Sequence, residues 1–145
     1  RDLHSFPTRR SSDLAMGEYV AEQVIKLMNK KGVLVKDAKI LLLGVTFKEN
    51  CPDIRNTKVV DIYEALKEYT SNITVYDPWA NAAHVEEEYH VPVANTLSDD
   101  RYDAIILAVA HKEFLSIDLK SILRENGVIY DVKGILPRDI IDGRL

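Results

Sequence analysis

The sequence predicts an α/β protein built on an open, doubly wound parallel sheet of about five strands, preceded by the end of a long helix. Two observations predict it. From residue 39 onward, short β-branched or leucine-rich runs alternate with helical patterns, as in a parallel sheet covered on both faces. Before the first of these runs, Val20, Val24, Leu27 and Met28 recur at helical spacing, and the pattern stops at Gly32. At 145 residues the chain is sized for one domain.

Taken in order, the first fourteen positions, Arg1 to Leu14, show neither strand nor helix periodicity and are set apart as a non-native or disordered leader. The run His4 to Leu14 resembles one reading frame of a sequencing-adapter oligonucleotide, and it lacks the apolar segment of a secretory signal. Residues 15–32 then form the amphipathic helix, whose apolar stripe stands ahead of the first strand and points to a domain further upstream. Strands are predicted over 39–44, 73–76, 104–109 and 128–131, with a weaker one at 90–93. Helices are predicted over 57–69, 81–88 and 116–124, and the tail from Gly134 to Leu145 reads as irregular. Right-handed crossovers between sequential parallel strands favour the order 3-2-1-4-5, a Rossmann-like arrangement. Its switch point, between the first and fourth strands, is where a ligand belongs.

Composition narrows the function. With 19 basic and 23 acidic residues the net charge is −4, and no basic run is long enough to neutralise a track of phosphates, which argues against nucleic acid. The single cysteine, Cys51, excludes an internal disulfide framework, and no apolar run reaches the ~20 residues that span a bilayer. A cytoplasmic setting is the expectation.

The loop after the first strand runs from Gly44 to Thr57 and leads into a helix N-terminus, which favours an anion. It has one glycine where a dinucleotide fingerprint needs three, and no glycine-lysine-serine/threonine triplet, so side chains must replace backbone amides as phosphate ligands. Lys48 supplies a point charge and Arg55 a planar fork; ordinary solvated loop charges are the alternative reading of both. Asp53 is placed to orient Arg55, and Asn56 or Thr57 to cap the helix. Asp77 after the second strand suits either a ribose contact or a turn, and His111 after the fourth suits a loop more readily than proton transfer. His84 and His90 beside Glu86, Glu87 and Glu88 read as a solvated helix face, since their spacing fits no zinc site. Trp79 reads as a cover for apolar surface.

The stretch Gly44-Val45-Thr46-Phe47-Lys48-Glu49-Asn50-Cys51-Pro52-Asp53-Ile54-Arg55-Asn56-Thr57-Lys58, followed by Val75-Tyr76-Asp77-Pro78, resembles the UDP-glucose/GDP-mannose dehydrogenase family. Within it the spelling is most similar to the branch that oxidises UDP-N-acetylglucosamine and UDP-N-acetylgalactosamine for bacterial surface polysaccharides. The resemblance implies an enzyme of three parts: an NAD-binding domain, a helical central domain that dimerises, and a C-terminal domain that closes over the UDP-sugar. On that reading residues 15–32 end the central helix and residues 33–145 form the C-terminal domain. It further implies substrate contacts from Phe47, Lys48 and Lys133, and a contact of Arg55 with NAD. Lysine stands at 133 where the family often carries arginine. The family reaction takes the sugar C6 alcohol to a carboxylate in two hydride transfers to NAD, through a thioester on a cysteine of the central domain. No catalytic residue is therefore expected here, Cys51 is not the nucleophile, and the chain alone is expected to be inactive. Two other classes stay open at this stage. A phosphoacceptor receiver domain would need an acidic pair where Gly44-Val45-Thr46 stands, and a free-standing nucleotide-sensing domain differs only in what lies upstream.

Overall fold

The computed structural model describes residues 9–145; positions 1–8 of the predicted leader lie outside the described residues. Helix α1 spans Arg9–Lys30, so it begins ahead of the residue-15 boundary read from the sequence. Strands β1 (Ile40–Leu43), β2 (Ile73–Tyr76), β3 (Val93–Ala94), β4 (Tyr102–Leu107), β5 (Leu123–Asp131) and β6 (Gly143–Arg144) alternate with α2 (Val59–Lys67) and α3 (Ala82–Tyr89). They form a six-stranded sheet of order β3-β2-β1-β4-β5-β6. Every pairing is parallel. The predicted order 3-2-1-4-5 is present, with β6 added beside β5.

The central strands owe their position to composition. Ile40 to Leu43 and Tyr102 to Leu107 are buried on both faces, which is why they read as continuous apolar runs rather than as alternations. One face packs Ile40, Leu42, Ala104, Ile106, Val128 and Tyr130 against α1, α2 and α3. The other packs Leu41, Leu43, Ile105, Leu107 and Ile129 against Phe114 and Leu119. The stripe on α1 falls in the first of these cores: Val20, Val24 and Met28 have no exposed surface. It approaches α2 tightly at Gly17, where an added Cβ would lie 2.8 Å from the backbone carbon of Asp61.

Two predicted elements differ. The helix expected over 116–124 is replaced by two short 3-10 turns, Lys112–Ser116 and Leu119–Ile122. Phe114 and Leu119 must both reach the sheet, so the chain extends at Ile117 and Asp118 between them, and one helix cannot present both. Leu123 and Arg124 are drawn into β5, where Arg124 pairs with Asp103 at 3.0 Å. The tail expected to be irregular supplies β6, whose Gly143 pairs with Tyr130. A two-residue edge strand leaves no periodicity in the sequence.

Candidate functional site

Three loops meet where β1, β2 and β4 end, and one buried carboxylate fastens them. Asp77 has no exposed surface. Its Oδ2 accepts from the backbone N–H groups of Val45 (2.7 Å) and Thr46 (3.2 Å), and its Oδ1 from those of Trp79 (2.7 Å) and Ala80 (3.1 Å). Burial alone would raise its pKa. The hydrogen bond from His111, with those from the Val45 and Trp79 amides, outweighs burial and holds the carboxyl below the ordinary aspartate range. Of the two roles weighed for Asp77 the structure builds the turn; its lone pairs are committed to the protein. His111 is likewise fully buried, stacked under Trp79 with ring centroids 6.1 Å apart. Trp79 gives its indole N–H to Glu113 at 2.8 Å, a bond that lowers the Glu113 pKa; expected to cover apolar surface, it lies instead over the His111 ring.

The loop from Gly44 to Thr57 is pinned along its length. Gly44 has φ +98, and a Cβ there would meet the Val109 side chain at 2.5 Å, so only glycine lets β1 turn this close to the end of β4. The Phe47 N–H donates to the Asp53 carbonyl at 2.6 Å, and the Tyr89 hydroxyl donates to the Ile54 carbonyl at 2.7 Å. Asp53 orients Arg55 as predicted, accepting from its Nε at 3.0 Å and from a terminal nitrogen at 2.9 Å. Those bonds pull the Asp53 pKa down to about 2 and raise that of Arg55. The Arg55 side chain is 84% exposed, on the rim of the loop. Capping differs from expectation. Lys58 occupies the N-cap of α2, the Thr57 hydroxyl accepts from the Val59 N–H at 3.3 Å, and Asn56 adopts a left-handed φ of 57°. Asn81 caps α3 through the His84 N–H, and His90 ends that helix in the left-handed region.

A second buried acid, Asp131, does for β5 what Asp77 does for β2. It accepts from the backbone N–H groups of Lys133 (3.0 Å), Gly134 (2.8 Å) and Leu136 (2.7 Å). Between the two fastened loops, at the predicted switch point, lies a cleft of about 230 Å³. Phe47, Lys58, Val109 and Lys133 line it, together with Asn56 and Thr57. Phe47 and Lys133, read from the sequence as substrate contacts, are thus brought together. Lys48 and Arg55 belong to the same loop but do not line this cleft. Among the lining residues that went unread are Met16, which α1 brings to the cleft, and Lys58. The position of Lys58 at a helix N-terminus was the available signal for it. Among the described residues that line the cleft two are lysines and none is acidic, in a chain whose net charge is −4.

An open α/β sheet with a basic cleft at its switch point defines the class as a nucleotide-binding domain. Residues 41–138 match the family model described as the UDP-glucose/GDP-mannose dehydrogenase family, UDP binding domain, and the chain belongs to that family. It is 43% identical over 140 residues to the UDP-N-acetyl-D-glucosamine 6-dehydrogenase of Salmonella typhi and 46% identical over 140 residues to that of Pseudomonas aeruginosa. Each alignment covers 94% of this chain and 33% of the relative. The chain therefore spans about a third of the length of these relatives. The fold is shared with a solved NDP-N-acetyl-D-galactosaminuronic acid dehydrogenase from Methanosarcina mazei, with a TM-score of 0.77 at 19% identity, over 93% of this chain and 30% of that one. Among the described residues, no helix is long and apolar enough to cross a membrane.

Proposed function

We propose that the chain is the UDP-sugar-binding C-terminal domain of an NAD-dependent UDP-N-acetylhexosamine 6-dehydrogenase, acting in the cytoplasm in surface polysaccharide synthesis. The observation that carries this reading is the cleft at the switch point, whose lining includes Lys58 and Lys133 and no acidic residue. Lys58 at the N-terminus of α2 and Lys133 in the loop after β5 together suit a diphosphate, and Phe47 supplies an apolar surface in the same cleft. The volume fits a partial site. About 230 Å³ lies below the ~300 Å³ at which pockets for whole small molecules begin, so the remainder of a nucleotide sugar must be enclosed by other domains.

NAD fits this chain only at an edge. Gly44 is the single glycine of the loop, so there is no backbone cradle for a pyrophosphate. Arg55, exposed and oriented by Asp53, is the residue that would touch NAD, and the hydride acceptor chemistry belongs to NAD bound by the N-terminal domain. The part of this chain is to bind and orient the UDP-sugar. Lys48 joins Phe47 and Lys133 as a substrate contact when the other domains close over the loop, and α1 continues the central domain through which the full-length enzyme forms a homodimer. Cys51 has no catalytic part, and the nucleophilic cysteine lies upstream. The isolated chain should bind UDP weakly and reduce no NAD.

Calorimetric titration of the 145-residue chain with UDP, and separately with NAD, tests the proposal. Saturable UDP binding that Lys133→Ala weakens, with no NAD binding, is the expected result. UDP binding that Lys58→Ala and Lys133→Ala both leave intact would place the nucleotide elsewhere and overturn it.

A further inference from the structure

We propose that His111 is a positioning residue for nucleotide binding. Its buried ring, as the Nε2–H tautomer, holds the loop that carries Phe47 and Lys48 in the shape that makes one wall of the cleft. The inference rests on the reading of that cleft as a nucleotide site.

The hydrogen bonds fix the tautomer. The Asn50 backbone N–H lies 2.9 Å from His111 Nδ1, and since an amide can only donate, Nδ1 must be the acceptor. The ring proton is then on Nε2, which lies 3.0 Å from Asp77 Oδ2 and 3.1 Å from Thr46 Oγ1. Thr46 Oγ1 gives its own proton to the Lys48 carbonyl at 3.0 Å, which leaves it an acceptor toward the ring. Both nitrogens therefore act on one loop. Nδ1 holds it directly at Asn50, and Nε2 holds it through Thr46 and through the Asp77 oxygen that also takes the Val45 and Thr46 amides.

The loop needs such a hold because its turn is not one a free chain favours. Asn50 sits at φ 55, a left-handed conformation uncommon for residues other than glycine. Its side chain accepts from the Lys112 N–H at 2.9 Å, so backbone and side chain of the same residue are tied to the segment after β4. Phe114, at 5.3 Å between ring centroids, and Trp79 shield the imidazole, and water cannot substitute for the bonds it makes. Lys48 lies between the two anchored points, Thr46 and Asn50, and Phe47 beside it reaches the cleft.

The test uses the 15N-labelled chain. Ring nitrogen shifts should show Nε2 protonated and Nδ1 bare; a proton on Nδ1 overturns the proposal. His111→Gln keeps a donor toward Asp77 and Thr46 but offers no acceptor in the place of Nδ1. It should speed amide exchange at Asn50 about tenfold or more, and weaken UDP binding about tenfold, while Ile129 and Tyr130 in β5 exchange as before. His111→Asn, which returns an acceptor oxygen near the Nδ1 position, should restore the protection of Asn50. A merely structural histidine would slow or speed exchange throughout the sheet, and would not distinguish the two amides. If His111→Gln binds UDP as the unaltered chain does, with Asn50 equally protected, the positioning role is wrong and the nucleotide reading stands. If neither protein binds UDP although the loop loosens as expected, the nucleotide reading fails, and the positioning role with it. Should the Gln variant not fold, the ring shifts of the unaltered chain and the Asn variant decide the matter.

Discussion

Replacing Gly17 by alanine separates two views of α1: a helix docked into this domain, and a helix that merely leads into it. Inside a helix, glycine to alanine gains about 1 kcal/mol because the unfolded chain has fewer conformations to lose. That gain is all that remains if α1 is undocked. In the structure Gly17 is buried, and a Cβ there would stand 2.8 Å from both the backbone carbon and the Cβ of Asp61, and 3.0 Å from its carbonyl oxygen. Overpacking of this kind costs about 1–3 kcal/mol. Because the obstacle is helix backbone and not the tip of a flexible side chain, the cost falls toward the upper end. The net expectation is a loss of about 1–2 kcal/mol, or a Tm lower by about 3–8 °C for a domain of this size. Thermal and urea unfolding followed by far-ultraviolet circular dichroism would measure it. A Gly17→Ala protein more stable than the unaltered one by about 1 kcal/mol would refute the docking of α1 on α2.

Acid stability reports Asp77. Its folded pKa is held below the unfolded value, so its contribution is fully present above about pH 4 and is lost as pH falls through the folded value. Asp77→Asn should cost about 1.5–3 kcal/mol at pH 7 and flatten the decline below pH 4 in urea titrations across that range; an unchanged slope would remove Asp77 from the balance. Lys133→Ala should weaken UDP binding about 10- to 100-fold, the loss of one charge-assisted contact, with Tm unchanged. Arg55→Ala should leave UDP affinity where it was, and a drop like that of Lys133→Ala would move Arg55 into the nucleotide site. Cys51→Ser should alter neither UDP affinity nor Tm, and a loss of affinity would place this side chain in the nucleotide site.

Much of the fold was legible because its central strands are buried on both faces. Ile40 to Leu43 and Ala104 to Leu107 are unbroken apolar runs, and handedness then leaves few ways to order them. The segment 116–124 misled for a physical reason. Leu119, Ile122 and Leu123 repeat at helical spacing, but Phe114 and Leu119 must both reach one sheet face across a short connection, and that long-range demand overrides local pattern. β6 was invisible because two residues carry no period. In the site, Lys48, Arg55 and Lys133 could be named from the family resemblance, since a solvated loop charge looks the same in sequence, whereas the tie between Asp77 and His111 joins residues 34 apart in sequence. Each, taken by itself, looks like a polar residue at a strand end. Reading them as a pair required the order β2-β1-β4, which brings their loops together.

That order also explains why two aspartates, neither of them a ligand group, matter to the cleft. Asp77 follows β2 and Asp131 ends β5, on either side of the β1 and β4 pair; Asp77 gathers amides of the loop after β1, and Asp131 those of the segment that follows it. The loop that brings Phe47 to the cleft is held by the first, and the segment that brings Lys133 to it by the second. Because both walls are held by buried hydrogen bonds before any ligand arrives, a nucleotide entering the cleft has little loop entropy to overcome. The weak affinity expected of the isolated chain then follows from how little of the ligand a cleft of about 230 Å³ encloses, and not from disorder in its walls. Added domains would raise affinity by covering the rest of the nucleotide sugar, leaving the Gly44 to Thr57 loop in the shape it already has.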